Sequence, residues 1–410
     1  MTSLALFLAF CAVIQALPYN QTDTQQLLCV FADTFKDVIA FFGLPYPAQC
    51  TGIDDVDEPY HFNCNPDLLL PSATSPTDPN AVRPADIQFV AALGDSITTA
   101  WYAYNNWTST SVAEDNVGNS FVMGGDETVE THPTIPNILR ALNPSLLGYS
   151  VGAGMATAQA HLNVAVSGSQ SSDLAEQAQN LVTRIKDYPA DLVQNGWKLI
   201  HIFTGTNDIV AEPNCVCCNG KGISKADFKQ NIKNAILTIQ ANIPKTIISI
   251  IDLWGLEFTM IARNILNGLP LNVKALCPWN SQQAAAVLIA QYREAIFELE
   301  NLAELATNDS VIVTQPLFNQ FSAPVTKEDG TYLGEFYAPD QFHLSKLGHT
   351  LSAVQLWEQL LSRPVFKNTT NAKLISRNRE LACPNPTCPY IRTVYNSFKC
   401  NGEFVDDFAN

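Results

Sequence analysis

Basic residues are scarce in this chain. Lys and Arg number 23 against 39 Asp and Glu, a formal net charge of −16 at pH 7. A surface of that sign repels a phosphate backbone, which excludes nucleic acid as a partner. Charge of either sign is sparse, at 15% of residues, while 47% are hydrophobic and 10% aromatic. That is too much apolar surface for a chain that stays disordered. The 20 glycines follow no period of three, so collagen is excluded. There is no internal repeat and no low-complexity block. No apolar run reaches the roughly 20 residues that span a bilayer. The longest, LALFLAFCAVI at residues 4–14, has eleven, and Ile247–Ile251 is cut off by Asp252. The acidic end Asn401–Asn410 lacks the apolar tail of a lipid-anchor signal.

What is present points to the secretory route. The run at residues 4–14 ends in Ile14-Gln15-Ala16, and a small residue at 16 suits signal-peptidase cleavage. No Lys or Arg precedes the run, and Ile14 is larger than the ideal residue at that position. A buried first helix or strand is the alternative. Loss of residues 1–16 removes Cys11 and leaves ten of the 11 cysteines: Cys29, Cys50, Cys64, Cys215, Cys217, Cys218, Cys277, Cys383, Cys388 and Cys400. An even set suits disulfides in an oxidising compartment, with the pairing left open. Cys215-Val216-Cys217-Cys218 has closely spaced thiols, but zinc sites favour paired C-x-x-C units and no second unit exists. Asn20, Asn106, Asn308 and Asn368 each open an Asn-x-Ser/Thr sequon, as in a glycosylated extracellular protein.

Length alone admits one large domain or two to three small ones. Composition divides the chain further. Residues 17–85 hold three cysteines and a polar, proline-studded stretch from Pro66 to Pro84, an extension and linker. Residues 86–362 alternate strand-like and helix-like patterns, and residues 363–410 form a second cysteine- and proline-bearing flank. Five short apolar runs read as strands: Ile87–Leu93, Leu162–Val166, Leu199–Phe203, Thr246–Ile251 and Ser310–Thr314. They lack strict alternation, as parallel strands buried on both faces do. Between them lie helical stripes: Phe228, Ile232, Ile236 and Ile239; then Ala284, Leu288, Tyr292, Ile296 and Leu299 within 281–306; then Leu347, Leu351, Val354 and Leu361. The pattern predicts one α/β domain with a parallel sheet and helices on both faces.

Ligands of such sheets bind at the carboxyl ends of the strands, and three predicted ends carry reactive residues. They read Gly94-Asp95-Ser96-Ile97, Val166-Ser167-Gly168-Ser169 and Thr204-Gly205-Thr206-Asn207-Asp208, while Asp340-Gln341-Phe342-His343 precedes the last helix. Ester hydrolysis needs a nucleophile, a base, a carboxylate to orient the base, and donors for the oxyanion. Singly, each residue has a plainer reading. Ser96 suits a helix N-cap, Gly168 a tight turn, Asn207 a turn cap, His343 the surface and Asp340 a solvated loop. Asp95 reads as a structural loop carboxylate or as a group behind the nucleophile. Their order along one domain is what favours a hydrolase.

These four segments resemble the four blocks of the GDSL or SGNH hydrolases. Arg83-Pro84-Ala85-Asp86-Ile87, Gly124-Gly125-Asp126, Pro136–Arg140, Asn163–Val166, Gly334–Ala338 and Gly348-His349 are similar to the animal phospholipase B branch, over roughly residues 80–360. The resemblance implies a three-layer, flavodoxin-like α/β/α fold with a five-stranded parallel sheet between disulfide-bearing extensions. It implies Ser96 as nucleophile, His343 as general base and Asp340 as its orienting carboxylate. The implied oxyanion hole is the backbone N–H of Ser96, the backbone N–H of Gly168 and the side-chain amide of Asn207. No metal or organic cofactor is implied. Two positions depart from the pattern: Thr206 replaces a common Gly or Asn, and Ser167 stands where Pro is frequent.

The activity implied is a secreted ester hydrolase that cleaves acyl esters of phospholipids or lysophospholipids through an acyl-serine intermediate, with transient contact to lipid surfaces. The same site would serve other lipid or carbohydrate esters. The reading from another class is a secreted lipid-binding protein without catalysis. The aromatic stretch Trp101–Trp107 reads either as packing at the core or rim, or as a lipid-facing lid. Relatives with repeated domains and a membrane anchor lend neither feature to this chain.

Overall fold

A computed structural model describes residues 59–104, 114–210, 222–253, 279–318, 336–338, 340, 342–363 and 379–404. Its centre is a parallel sheet of β1 (Ile87–Gly94), β2 (Trp197–Phe203), β3 (Thr246–Ile251) and β4 (Ser310–Gln315), in that spatial order. Every residue of β2 and β3 is buried. Strands covered on both faces need apolar side chains at consecutive positions, which is why the runs do not alternate. The register pairs Gly94 with Phe203, Phe203 with Ile251 and Ile251 with Gln315. The four strands therefore finish level, and the segments leaving them emerge along one edge.

The expected fifth strand is a correction: the sheet has four strands. Leu162–Val166 does run parallel to β1. Ala92 N donates to Leu162 O (3.2 Å), Val164 N to Ala92 O (2.9 Å) and Val166 N to Gly94 O (3.1 Å). Only the Ala92–Asn163 bridge is regular, however. A turn at its start, with Asn163 N bonded to Ala160 O and His161 at φ 50°, breaks the extended backbone. The Asn163 side chain then takes Ala165 N at 3.2 Å. Short amide side chains compete with a ladder in this way. The segment still delivers Ser167 and Gly168 beside the end of β1.

Crossovers between these strands are α1 (Ile135–Leu142), α2 (Leu174–Arg184), α3 (Lys225–Asn242) and α4 (Trp279–Leu299), and α5 (Lys346–Leu361) follows β4. The order runs from β1 outward to Leu162–Val166 and then back across to β4. Right-handed crossovers therefore put the helices on opposite faces. Helix α3 packs between α2 and α4, and α1 packs with α5, completing three layers. Phe228, Ile232, Ile236 and Ile239 are all fully buried on α3, as their spacing predicts. Two stripes shift. Ala284 is exposed while Ala285 and Ile289 face the core, and α5 buries Ala353, Leu356, Trp357 and Leu360 rather than centring on Val354 and Leu361. Helix α4 ends at Leu299, short of 306.

The flanks are tied to the domain and to each other. Cys64–Cys383 joins them across 319 residues, and His61–Phe62 pairs in parallel with Glu380–Leu381 beside it. Trp357 Nε1 donates to Ala382 O at 2.8 Å, Ile391 N to Val82 O at 2.9 Å and Arg392 N to Leu360 O at 2.8 Å. Cys388–Cys400 closes a local loop. Residues 1–16, Cys29, Cys50, Cys215, Cys217, Cys218, Cys277 and the sequons at Asn20, Asn106 and Asn368 lie outside the described residues. Asn308 is exposed just before β4. Among the described residues no helix is long and apolar enough to cross a membrane.

Candidate active site

Ser96 sits in the turn that ends β1. Asp95 starts it: its carbonyl accepts from Thr98 N (3.0 Å) and Thr99 N (3.1 Å), and its carboxylate Oδ1 from Ile97 N (2.9 Å). Ser96 is 8% exposed at this strand-end edge. Ala100 and Tyr102 hold left-handed backbone at φ 56° and 65° just beyond. Segment 114–116 holds that stretch, through Tyr102 N to Glu114 O and Asn116 N to Ala100 O.

Asp340 and His343 come from the loop before α5. That loop is closed on itself, with Ala338 N bonded to His343 O (2.8 Å) and Ser345 N to Phe336 O (3.0 Å), and the Ser345 hydroxyl then caps α5 through Gly348 N. Asp340 Oδ1 accepts from Phe342 N and His343 N, each at 3.0 Å, a local turn that Asp favours. Its Oδ2 lies 2.5 Å from His343 Nδ1, and His343 Nε2 lies 2.9 Å from Ser96 Oγ. Burial pushes the Asp340 carboxyl up, but the hydrogen bond and charge of His343 and the two backbone donors outweigh it and hold the group below its ordinary value. An ionised carboxylate only accepts, so Nδ1 carries the ring proton and Nε2 is free to accept from the Ser96 hydroxyl. Tyr102, 6.0 Å from the imidazole by ring centroids, and Phe342, at 4.8 Å, flank it. Tyr102 thus belongs to the rim of the site, while residues 105–107 of the aromatic stretch lie outside the described residues.

Gly168 and Asn207 reach the same edge from the neighbouring strand ends. Gly168 is at φ 84°, where a side chain would be strained, and a Cβ there would meet nothing within 4 Å. Gly205 is needed twice over: its φ is 114°, and a Cβ would approach Leu253 and Phe228 to 2.6 and 2.9 Å. That turn starts the short helix Thr206–Val210 and presents Asn207, 8% exposed, whose Nδ2 donates to Ser169 O at 2.9 Å. One amide hydrogen thereby aligns the group and the second remains to donate. Thr206, the departure in this block, is buried within the turn. A cleft of about 580 Å³ opens beside Gly168, lined in part by Val164, Val166, Ser167 and Thr183.

Asp95 and Asp208 are both fully buried beneath the edge. Asp208 takes Ser171 N (2.9 Å) and Ser171 Oγ (2.7 Å), and burial raises its carboxyl despite them. For Asp95, burial outweighs the Ile97 hydrogen bond and, with Asp208 nearby, raises the group from 3.8 to about 7. Between those values the folded state holds a proton that the unfolded chain has released. The contribution of this group to stability therefore falls as pH rises through that window and levels off above it. Urea unfolding at pH 5 and pH 8 should show the wild type losing on the order of 2 kcal/mol relative to Asp95→Asn, a difference that cancels the groups common to both proteins. Equal pH dependence in the two proteins would refute this origin.

The GDSL-like lipase/acylhydrolase family model matches residues 90–356, which run from before Ser96 to past His343. The chain belongs to that family. It is 36% identical over 351 residues to the mouse (Mus musculus) protein named phospholipase B1, membrane-associated, covering 82% of this chain and 23% of the relative. Against the Homo sapiens protein of that name the identity is 32% over 343 residues, 80% of this chain and 22% of the relative. The chain thus spans about a quarter of the length of these relatives. A GDSL-like lipase from Bacteroides thetaiotaomicron of known structure is 16% identical, over 66% of this chain and 84% of its own, with a TM-score of 0.29. That match is too loose to bear on the site.

Every residue expected in this family site is found at the one edge. The sequence reading missed those that hold the family motifs in place. Gln177 on α2 takes Gly94 N (2.8 Å) and donates to Gly94 O (2.9 Å) and Ser169 Oγ (3.0 Å), stitching two strand ends together. Its signal was available, since it is a polar residue on the buried stripe with Leu174, Ala178 and Leu181. Asp115 and Thr99 gave no comparable signal.

Proposed function

We propose that this chain is a secreted serine ester hydrolase that cleaves the acyl esters of phospholipids and lysophospholipids through an acyl-serine intermediate. The observation that carries the reading is the unbroken chain from Asp340 Oδ2 through His343 to Ser96 Oγ, at 2.5 and 2.9 Å. In the reaction, His343 Nε2 takes the Ser96 proton as Oγ bonds to the ester carbonyl carbon. The new oxyanion receives N–H donors from Ser96, Gly168 and the Asn207 amide, all neutral groups preset at the strand ends. The C–O bond to the glycerol oxygen then breaks, and the imidazolium returns its proton to that leaving oxygen. Water, deprotonated by the same nitrogen, releases the fatty acid and restores Ser96. Asp340, held ionised, steadies the imidazolium in both halves.

The substrate class draws its support from the phospholipase B1 relatives and from apolar surface at the mouth, where Val166 next to Gly168 is 54% exposed. Secretion draws its support from the apolar segment at residues 4–14 and the disulfides Cys64–Cys383 and Cys388–Cys400, bonds that persist in oxidising compartments. The test is a panel of phosphatidylcholine, lysophosphatidylcholine, triglyceride and an acetylated sugar, given to protein purified from the medium of secreting cells. Fatty acid should be released from the first two. Acetate alone, with no fatty acid, would overturn the phospholipase reading and favour a carbohydrate esterase. Binding of phospholipid without release of any product would favour a lipid-binding protein.

A further inference from the structure

Gly168 has no side chain, and a Cβ there would meet nothing within 4 Å, so its neighbours along the chain decide where its N–H points. On one side, Ser169 is secured: its hydroxyl donates to Gly94 O at 2.8 Å, and its carbonyl accepts from Asn207 at 2.9 Å. On the other side stands Ser167, which has no ring to restrict the backbone by itself, as a proline there would. A second contact takes its place. Ser167 Oγ donates to Asp115 Oδ1 at 2.5 Å. The hydroxyl of Thr99, three residues past the nucleophile and fully buried, donates to the same carboxylate oxygen and lies 2.9 Å from Ser167 Oγ. Thr99 Oγ1 is also 3.2 Å from Ser96 O.

We propose that Asp115 is a positioning residue that clamps the nucleophile turn to the Gly168 turn and so sets the distance between Ser96 and the Gly168 oxyanion donor. One oxygen atom receives a hydroxyl from each turn, so neither turn can shift without breaking a bond to the other. Asp115 is itself anchored, by its bridge to Trp101 and by Gly154 N donating to its carbonyl at 2.7 Å. The clamp acts on the oxyanion, which exists only after attack. Its loss therefore lowers kcat and leaves binding of the ground-state ester nearly unchanged.

The inference rests on the serine hydrolase reading, and the experiment separates the two. A fluorophosphonate probe that still labels Ser96→Ala would sink that reading, whatever Asp115 does. With labelling lost in Ser96→Ala, kcat and KM are measured on a soluble short-chain ester for Asp115→Ala, Ser167→Ala, the double variant and Asp115→Asn. Asp115→Ala should lower kcat about 10- to 100-fold, the scale of a misplacement near 1 Å, with KM within about threefold. Ser167→Ala should fall in the same direction, and the double variant should be no worse than Asp115→Ala, because both remove one clamp. Asp115→Asn keeps an Oδ1 acceptor and should retain most of the rate. Ser167→Ala removes one hydroxyl from a partly exposed loop and preserves the fold, so it decides the matter if Asp115→Ala does not fold. An unchanged kcat in folded Ser167→Ala, or multiplicative losses in the double variant, would overturn the proposal.

Discussion

Replacing Ser96 by Ala is expected to lower kcat by about 10⁴- to 10⁶-fold on any ester the protein hydrolyses, and to abolish fluorophosphonate labelling. The change removes only the Oγ that lies 2.9 Å from His343 Nε2. It leaves the Asp340–His343 bond and the turn built by Asp95 untouched, so stability should stay near the wild type. His343→Ala should cost a comparable factor, because a serine hydroxyl without a base is a weak nucleophile at neutral pH. The two losses should not multiply. Once either partner is gone, the other has no proton to exchange, and the double variant should match the worse single within a small factor. Steady-state turnover together with the urea midpoint checks this. A double variant slower than either single by a further thousandfold would mean that the two residues act in separate steps.

Asn207→Ala should lower kcat by about 10²- to 10³-fold, the range for removal of one oxyanion donor, with KM little changed. Two effects combine at this position. The amide is an uncharged donor to the developing O⁻, and the same Nδ2 secures Ser169 O at 2.9 Å, next to Gly168. Asn207→Asp separates donor character from shape. A carboxylate of the same size accepts where the amide donates, faces the Ser169 carbonyl and repels the oxyanion, so this variant should be at least as impaired as Ala. Comparable activity in Asn207→Asp and wild type would remove Asn207 from the site. A fall confined to KM would place it in substrate binding instead.

The Ser167–Asp115–Thr99 contact changes the meaning of a departure from the family pattern. From sequence, Ser167 in place of proline leaves the geometry before Gly168 open. In the structure the restraint comes from a carboxylate 52 residues away along the chain. A covalent ring limits its own backbone, whereas a hydrogen-bonded clamp also fixes one turn relative to another. The exposed aromatic residues Tyr395 and Phe398 belong to the flank whose backbone bonds to Val82, before β1, and to Leu360, at the far end of α5.

By itself, the sequence determined much of what depends on near neighbours. The four regular strands are legible because a strand buried on both faces must be apolar at consecutive positions. Helix α3 is legible because its stripe recurs at the helical period. The Asp340–His343 pair is legible because three residues span one turn of chain. The Leu162–Val166 segment was misread for the same local reason. Its apolar run resembles a buried strand, while a turn at His161 and the Asn163 side chain compete for the backbone donors that regular pairing needs. Tertiary structure alone decided what lies between distant segments. Ser96 and His343 are 247 residues apart, and only the fold sets the loop before α5 against the turn that ends β1, within a hydrogen bond. Asp115 has no pattern around it that marks a role. Its carboxylate acquires one when the fold sets two hydroxyls from two different strand ends against a single oxygen.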